Sequence, residues 1–335
     1  MSNQFPLTAA SGGAEIYVQE GEPEETPDPA PDGDGGFWYP LFLGGSEVWQ
    51  FPTGDTVLDA DIDGDVAVFG SSNNNGYAVD VATGDELWQF PAGLSVQAAG
   101  IGRDVAVFGS DDDTGYAFDV ETGDELWQFT PGESVQAAGT DGDVAVFGAR
   151  NDTGYAFDVE TGDELWQFTA GGGVQGADID GDVAVFGSFD ENGYAVDVET
   201  GDELWQFSAD DFVQGAGIGG DVAVFGSNDG NGYAFDVETG NELWQFPIHE
   251  FGSRAAGTDG DVAVFGSNGD NGYAVDVETG DELWQFPTGG GVRGADIDGD
   301  VAVFGSSDDT GYAVAVADGY GRPRISDGEN WVSPQ

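Results

Sequence analysis

Hydrophobic residues in this chain come in short runs of four to six, bounded by Gly, Asp, Asn or Thr. One set of four successive runs is Val96–Gly100, Asp104–Gly109, Gly115–Val120 and Glu125–Phe129. The runs are rich in Val, Phe, Tyr and Trp, which favour strands. The second run is apolar on both alternating faces, as expected for a strand that is covered on both sides. The pattern therefore predicts four short β-strands in succession.

The same set of four runs returns at a fixed period. A Trp in the fourth run recurs every 39 residues, with a spacing of 40 before the last copy. A period of this length indicates an array of one supersecondary unit. Four strands per unit, with no room for a helix, predict a blade of a β-propeller. The seven copies are Trp49, Trp88, Trp127, Trp166, Trp205, Trp244 and Trp284.

The two ends of the array complement each other. The second run occurs seven times, but the last unit ends at Ala315 without a fourth run. A spare fourth run, Glu47–Phe51, precedes the first complete unit. Pairing the two removes the open edge. We therefore predict an all-β fold: a seven-bladed β-propeller of four-stranded antiparallel blades, closed one-plus-three, with the N-terminal strand 47–51 completing blade 7.

Three regions follow from the repeat boundaries. Residues 44–317 are the predicted propeller, and residues 318–335 are a C-terminal tail. Residues 1–43 lie outside the repeat and include an acidic, Pro-rich stretch that predicts an extended spacer. The apolar stretch that ends this region is either a plug that packs on the propeller or a docking site for a partner. The anchoring candidates are Tyr17, Phe37, Trp38 and Tyr39.

The charge of the chain limits its partners. There are 65 Asp and Glu residues against 6 Arg, with no Lys, and the formal net charge is -59. Self-repulsion at this charge destabilises the compact state unless salt screens it, which is typical of proteins from salt-accumulating halophiles. The same charge argues against nucleic acid as a partner. No run approaches the roughly 18 apolar residues of a membrane span, so we expect no membrane insertion.

The N-terminal residues and the absence of Cys bear on localisation. Met1–Pro6 has neither a basic nor an apolar stretch, so we expect no secretory signal. A count of 0 Cys excludes disulfides and thiol nucleophiles. We predict a protein of the virion or of the cell exterior in high salt; the cytoplasm of a halophile is the alternative.

Six copies of the motif Ala-x-Asp-x-x-x-Gly-x-Glu-x-Trp lie within residues 78–284. The motif resembles the tryptophan-docking repeat of pyrroloquinoline-quinone (PQQ) type propellers, and the resemblance covers roughly residues 46–316. It implies that the seven Trp residues lock each blade to the next, where a large aromatic side chain contributes most. Blade 7 departs from the motif because Ala315 stands in place of Asp. We expect its lock to be made with Trp49.

The quinoprotein dehydrogenases of this family are similar in blade motif. The resemblance implies for them eight blades, a calcium site, a catalytic Asp and often a vicinal Cys pair over the cofactor. This chain has no Cys and a single His, His249. A single His leaves almost no residues from which a Ser-His-Asp site or a His-metal site could be built. We predict no enzymatic activity, no catalytic residues and no PQQ.

Aspartates alternate before the second strand of several units, as at Asp61, Asp63 and Asp65. Carboxylates clustered on a turn suit Ca²⁺ or Mg²⁺. The competing interpretation is a two-residue Asp-Gly hairpin turn, for which the string is a strong signal. We favour the turn and keep a Ca or Mg site as the weaker alternative.

The repeats differ from one another mainly in two sets of loops, those between the second and third strands and those between units. In an up-and-down blade both sets lie on one face, and variable loops on a rigid scaffold tend to carry function. The alternative is that these loops differ through neutral drift, because packing does not constrain them. Exposed aromatics there suit sugar stacking or protein packing, and Arg near the channel suits a carboxylate or sulfate. The candidates for a ligand or receptor site are Phe189, Phe212, Ile248, His249, Phe251, Arg254 and Arg293.

The stretch from Ile16 to Trp38 resembles a leader of tail-fibre and other virion proteins, with a Tyr-Val-Gln…Pro…Gly-Asp…Trp pattern. The resemblance implies a virion surface or tail-fibre protein of a halophilic archaeal virus that recognises a host surface glycan or protein. Other virion proteins, or a second copy of the chain, would then bind residues 1–43. The alternatives are a cellular propeller scaffold for protein assembly and, less favoured, a PQQ-dependent dehydrogenase.

Overall fold

The computed structural model describes residues 44–248 and 252–316. Its 28 strands form seven four-stranded antiparallel sheets. In the described ranges, no helix is long and apolar enough to cross a membrane. The first strands of the blades are β2 (Val57–Asp63), β6 (Val96–Gly102), β10 (Val135–Thr140), β14 (Val174–Asp180), β18 (Val213–Gly219), β22 (Ser253–Thr258) and β26 (Val292–Asp298).

The remaining strands follow the same order in each blade. The second strands are β3 (Val66–Ser71), β7 (Val105–Ser110), β11 (Val144–Ala149), β15 (Val183–Ser188), β19 (Val222–Ser227), β23 (Val262–Ser267) and β27 (Val301–Ser306). The third strands are β4 (Asn75–Asp80), β8 (Gly115–Asp119), β12 (Thr153–Asp158), β16 (Asn192–Asp197), β20 (Asn231–Asp236), β24 (Asn271–Asp276) and β28 (Thr310–Ala315). The outer strands are β5 (Glu86–Pro91), β9 (Glu125–Phe129), β13 (Glu164–Thr169), β17 (Glu203–Ser208), β21 (Glu242–Pro247), β25 (Glu282–Pro287) and β1 (Ser46–Pro52).

Strand β1 closes the ring. It pairs antiparallel with β28, so that the last sheet has the order β1-β28-β27-β26. The first strands of successive blades contact one another, and β26 contacts β2 to complete the circle. The seven-bladed, one-plus-three propeller predicted from the spacing is confirmed.

The core lies between the blades and centres on the second strands. Their Val-Ala-Val-Phe-Gly sequence is buried on both faces, and its Phe is completely buried in all seven blades. The Trp of the preceding outer strand packs edge-on against that Phe; the Trp88 and Phe108 ring centroids are 6.2 Å apart. Truncating a buried Phe to Ala typically costs about 3–5 kcal/mol. The repeated Trp–Phe contact therefore holds each blade on the next.

The tryptophan lock combines a hydrogen bond with a glycine contact. Trp49 Nε1 donates to the Val81 carbonyl at 2.7 Å, and the next five Trp copies repeat this bond on the following blade. Asp80 Oδ1 accepts from the backbone N and the hydroxyl of Thr83, both at 2.8 Å, and fixes the turn. Gly84 has a φ of 74°, and a Cβ there would lie 2.9 Å from the Trp49 ring. Glycine is required both for the backbone and for the contact.

The lock between blades 6 and 7 corrects one expectation. Trp49 does not compensate for Ala315, because it makes a regular lock on blade 1. The irregular lock is that of Trp284, whose Nε1 is buried without a hydrogen-bond partner among the described residues. Gly45, with a φ of 78°, packs on Trp284 and donates its N–H to the Ala315 carbonyl at 2.9 Å. A glycine from the start of the propeller thus replaces the missing motif glycine.

The loops separate into two faces. Loops between second and third strands lie beside the loops that enter the first strands, as the Phe189 N to Gly173 O bond of 3.0 Å shows. We call this side the variable face. The turns after the first and third strands lie together on the opposite side, where Val81 N donates to Asp65 O at 2.9 Å. We call that side the uniform face.

Candidate functional site

The seven first strands enclose a channel along the axis of the ring. Two cavities lie along it, and residues of all seven strands line each of them. The cavity towards the variable face has a volume of about 90 Å³, and that towards the uniform face about 470 Å³. The channel is therefore the one place where every blade contributes to a common surface.

A ring of side chains surrounds the variable-face cavity, and a β-bulge positions each of them. In β6, for example, the pairing with β7 steps from Val96 to Ala98 and leaves Gln97 as the extra residue. The same step occurs in the first strand of every blade. Bulges commonly re-aim a side chain at the rim of a barrel-like structure. We call these residues the mouth ring: Leu58, Gln97, Gln136, Gln175, Gln214, Arg254 and Arg293.

Blades 2 and 3 satisfy their part of the mouth ring with their own loops. Gln97 Nε2 donates to Asp111 Oδ2 at 2.7 Å, and Gln136 Nε2 donates to Asp111 Oδ1 at 3.1 Å. Arg150 Nη2 donates to Gln136 Oε1 at 3.0 Å, which places a third arginine at this mouth. Sequence reasoning did not select Arg150. The sequence feature that could have identified Arg150 is its position at the start of a variable loop, where the equivalent residue of blade 2 is Asp111.

Blades 5 and 7 each leave a mouth-ring atom without a hydrogen bond to the described residues. Arg293 Nε and Gln214 Oε1 are buried and have no hydrogen-bond partner in the described residues. Burial and the neighbouring charge of Arg293 lower the pKa of Arg254 below its usual range. Within the described ranges the ion pair is Arg103 with Asp143, at 2.6 Å on the uniform face. Arg254 and Arg293 thus face one cavity without a carboxylate within ion-pair distance.

Aspartates line the middle of the channel and clamp neighbouring blades together. Asp61 Oδ2 accepts from Ile101 N at 2.7 Å, so a carboxylate of blade 1 holds the first strand of blade 2. Asp178 accepts from Ile218 N at 2.9 Å in the same way between blades 4 and 5. These bonds satisfy N–H groups at the inner edge of a sheet that would otherwise face the channel. The Asp-rich strings therefore serve strand-to-strand contacts that sequence reasoning missed.

The metal interpretation finds no supporting geometry. Among the residues that the structure describes, no three His, Asp or Glu side chains are grouped so that they could hold one metal ion. Asp63 Oδ2 accepts the backbone N–H of Arg103, and the Asp65 carbonyl accepts from Val81 N. The turn itself consists of Gly64, with a φ of 58°, and Asp65, rather than of the expected Asp-Gly pair.

Burial changes the protonation of the channel aspartates. It raises the pKa of Asp59 to about 8, despite hydrogen bonds from Ala99 N and Ala60 N that favour the carboxylate. Burial and the charge of Asp61 raise the pKa of Asp178 and Asp296 well above their usual range. The carboxyl groups of Asp61 and Asp296 hydrogen-bond to each other, as a protonated and an ionised acid can. The middle of the channel is consequently less negative at neutral pH than its composition indicates.

Two exposed aromatics form an apolar contact on the variable face. Phe189 and Phe212 are 36% and 39% exposed, and their ring centroids are 4.9 Å apart at an interplanar angle of 51°. Leu94, 51% exposed in the loop between blades 1 and 2, was not selected from the sequence. The sequence feature that could have identified Leu94 is its position as an apolar residue in a variable loop. The clustering expected of Phe189 and Phe212 is present.

Of the remaining residues predicted from the sequence, one is placed differently from the prediction and the others lie outside the described residues. Ile248 is completely buried, and its N–H donates to the Gly230 carbonyl at 2.8 Å, so it is a core residue and not a ligand contact. The burial arises because it packs with Phe246 and Phe265 between blades 5 and 6. The predictions for His249, Phe251, Tyr17, Phe37, Trp38 and Tyr39 lie outside the described residues.

The variable loops are held by repeated carboxylate contacts. Asp112 Oδ2 accepts from Tyr116 OH at 2.8 Å and from Gly93 N at 2.6 Å, which ties a loop of blade 2 to the loop that enters the blade. Asp190 makes the equivalent bonds to Tyr194 OH and Gly171 N, both at 2.6 Å. Residues between these fixed points can vary without loss of the loop conformation. Phe189 directly precedes such a point.

Comparison with known proteins identifies the family to which this propeller belongs. A family model described as outer membrane protein assembly factor BamB matches residues 43–128, 111–250 and 228–321. The chain belongs to this PQQ-like propeller family. The matched ranges include the described propeller and extend slightly beyond it on both sides. Membership agrees with the resemblance of the tryptophan-docking motif.

A solved structure with the same fold is the computationally designed Ika8 protein. It is 18% identical, aligns with a TM-score of 0.63, and the match covers 81% of this chain and 100% of the designed one. At this identity the likeness concerns the fold alone. A search of curated proteins gives no match.

Proposed function

We propose that this chain is a non-enzymatic binding propeller that recognises a surface glycan or protein through its variable face, in a high-salt environment. The observation that carries the proposal is the exposed Phe189–Phe212 pair, placed on a face where the loops differ from blade to blade. Exposed aromatics that contact each other offer an apolar surface for a sugar ring or a partner side chain. The scaffold beneath is rigid because each blade is locked to the next.

The charge distribution agrees with this assignment. The described residues contain four of the six Arg of the chain, and three of those four, Arg150, Arg254 and Arg293, lie at the mouth of the channel. The uniform face has Arg103, which is already paired with Asp143. In a protein with a net charge of -59, three of the four described arginines thus lie on the same side of the ring as the exposed aromatics. Such a combination suits recognition better than it suits stability.

The test is binding of the labelled full-length protein to intact halophilic cells in molar salt. The variant is Phe189→Ala with Phe212→Ala. The matched control is Leu87→Ala with Leu126→Ala, which removes apolar residues of similar or greater exposure, 49% and 48%, from the outer strands. We expect the Phe variant to lose most of its binding and the Leu variant to keep it. Equal binding by wild type and both variants would contradict the proposal.

The biological setting separates two forms of the proposal. In the form that we favour, the protein belongs to a virion and residues 1–43 attach it to other virion proteins or to further copies of itself. In the second form it is a cellular scaffold, which the family described as outer membrane protein assembly factor BamB favours. Quantitative mass spectrometry of purified particles and of uninfected cell envelopes distinguishes them. Enrichment in particles supports the virion role, and enrichment in uninfected envelopes supports the scaffold.

A further inference from the structure

We propose that the mouth ring between blades 5 and 7 binds the carboxylate of an acidic sugar, with Arg254, Arg293 and Gln214 as its contacts. This inference deepens the proposed function and rests on it for the nature of the target. The three residues belong to consecutive blades and line the same cavity of about 90 Å³. Two of them present a buried polar atom without a partner, Arg293 Nε and Gln214 Oε1.

The unpartnered atoms specify the chemistry of the ligand. Arg293 Nε is a donor and Gln214 Oε1 is an acceptor, and a buried polar atom without a partner typically costs about 1–3 kcal/mol. A ligand that satisfies both must offer an acceptor to blade 7 and a donor to blade 5. A carboxylate beside a hydroxyl group, as in a uronic acid, does so, and Arg binds carboxylates through two parallel hydrogen bonds.

The choice of two arginines is informative in this chain. Blades 2 to 5 have Gln at the same bulge position, so Gln is compatible with the fold there. Burial and, to a smaller extent, the charge of Arg293 lower the pKa of Arg254, so the two neighbouring cations repel each other. The chain has 65 acidic residues, yet none of the described ones lies within ion-pair distance of Arg254 or Arg293. An external anion would relieve the repulsion that the described residues leave uncompensated.

The deeper carboxyl groups set the position of the anion. The cavity is also lined by Asp59, Asp61, Asp178 and Asp296, which would repel an anion if they were fully ionised. Burial raises the pKa of Asp59 to about 8, and it raises the pKa values of the other three as well. An anion at the level of the arginines therefore meets a largely protonated Asp59 at neutral pH.

Cavity size and neighbouring residues favour a ligand that inserts only its carboxylate into the channel over a small molecule that lies wholly inside it. A volume of about 90 Å³ has room for a carboxylate and little else. The rest of the ligand must lie on the variable face. Phe212 is two residues from Gln214 on the chain and contacts Phe189, so the loop that carries these aromatics leads directly into the mouth ring. In the proposed complex the sugar ring lies on the variable face towards these aromatics, and its carboxylate enters the mouth ring.

The test is an NMR titration of the arginine Nε–Hε signals of the full-length protein in a constant molar background of sodium chloride. The probes are sodium glucuronate, glucose as the neutral match, and N-acetylglycine as the match for a peptide C-terminus. The variants Arg254→Gln and Arg293→Gln assign the signals and copy the ring residue of blades 2 to 5. We expect glucuronate to shift the Arg293 signal with saturation, and each variant to weaken binding by about tenfold or more, equivalent to about 1.4 kcal/mol.

Three results would overturn the inference: shifts that grow linearly with glucuronate, equal shifts with glucose, or tighter binding of N-acetylglycine than of glucuronate. Cell binding by the Arg254→Gln/Arg293→Gln protein keeps the two proposals distinguishable. If that protein still binds cells while the Phe189→Ala/Phe212→Ala protein does not, the proposed function stands without the anion site. If glucuronate saturates the site but cell binding is indifferent to the Phe residues, the anion site stands without the proposed function.

Discussion

The glycine of the docking motif is fixed by a contact as much as by backbone shape. Gly123 has a φ of 71°, and a Cβ there would lie 2.8 Å from Trp88 Cγ. Gly132 has a φ of 87°, but no atom lies within 4 Å of its Cβ position. The two residues differ in the contact alone, because both occupy the left-handed region where an L side chain is strained.

Alanine at these two positions separates the contributions. We expect Gly132→Ala to lower the free energy of unfolding by on the order of 1 kcal/mol, from backbone strain alone. Gly123→Ala should cost about 3 kcal/mol, because the methyl group also displaces the Trp88 ring. Urea denaturation in molar salt, followed by Trp fluorescence, measures both. Equal costs would show that the glycine contact contributes nothing to the lock.

Asp59 gives the propeller a pH dependence of unusual sign. Its pKa rises from 3.8 to about 8 on folding, so the folded state binds the proton more tightly than the unfolded state. The stability that this proton contributes is complete below pH 4 and is lost as pH rises towards 8. We expect Asp59→Asn to raise the free energy of unfolding at pH 9 by about 1–3 kcal/mol, a value reduced because the channel admits water.

The same substitution should have a clearly smaller effect at pH 5, since the aspartic acid is then still neutral in the folded state and only the first part of the titration window, which opens near pH 4, has been crossed. Thermal denaturation at pH 5 and pH 9 measures the difference. The control is Asp124→Asn on the exposed uniform face, where blade 5 already has Asn241. An Asp59→Asn effect that is the same at both pH values would show that the carboxyl is ionised throughout.

At the scale of the blades, the locks between neighbours are equal in geometry but not in hydrogen bonding. Trp127 Nε1 donates to the Val159 carbonyl at 2.8 Å, whereas Trp284 Nε1 has no partner among the described residues. Both rings pack edge-on against a buried Phe with centroids 6.1 and 6.2 Å apart. Within the described part of the chain, the lock at blade 7 therefore keeps the apolar contact without the hydrogen bond.

Phenylalanine substitution isolates that hydrogen bond. Trp127→Phe removes the donor and leaves the Val159 carbonyl without its partner, whereas Trp284→Phe removes no hydrogen bond to any described residue. We expect Trp127→Phe to cost about 1–2 kcal/mol more than Trp284→Phe in urea denaturation. The paired design cancels the loss of ring area, which is common to both. An equal cost would mean that the Trp–carbonyl bond is energetically neutral.

Most of the blade architecture was predictable from the sequence because it depends on local patterns that repeat. The strand runs, the Trp period and the spare N-terminal strand define the ring, and all three are periodic. What escaped prediction depends on contacts between blades. The bulge that directs Gln97 into the channel and the bond from Asp61 to Ile101 N join strands that are distant along the chain. A run of alternating Asp looks the same whether it faces water, a metal ion or a neighbouring strand.

The candidate site was predictable to a smaller extent. Phe189, Phe212, Arg254 and Arg293 stood out because they break the repeat. The structure places the two arginines at the mouth and the two phenylalanines in contact on the variable face. Ile248 also breaks the repeat, yet it is completely buried, because an apolar side chain in a loop fills a gap between blades when one is available. Comparison of the repeats shows which positions differ between blades. It does not show whether the differing side chains face solvent, because that depends on how they pack in the folded protein.

For the whole molecule, the two faces of the ring separate stability from recognition. The uniform face holds the Thr-Gly turns and the tryptophan locks, which are nearly identical in blades 1 to 6. The variable face holds the aromatics and most of the described arginines. Individual residues can therefore change on one face while the locks on the other preserve the ring.

The most direct test of this division uses the absence of Cys in the chain. Single cysteines are introduced at Glu133→Cys on the variable face and at Asp124→Cys on the uniform face, which remove the same charge from exposed positions. Each is coupled to a large polyethylene glycol maleimide, and binding to halophilic cells is measured with unlabelled variants as controls. We predict that the polymer at position 133 abolishes binding and that the polymer at position 124 leaves it intact. Loss of binding with the polymer at position 124, and its retention at position 133, would contradict the assignment of recognition to the variable face.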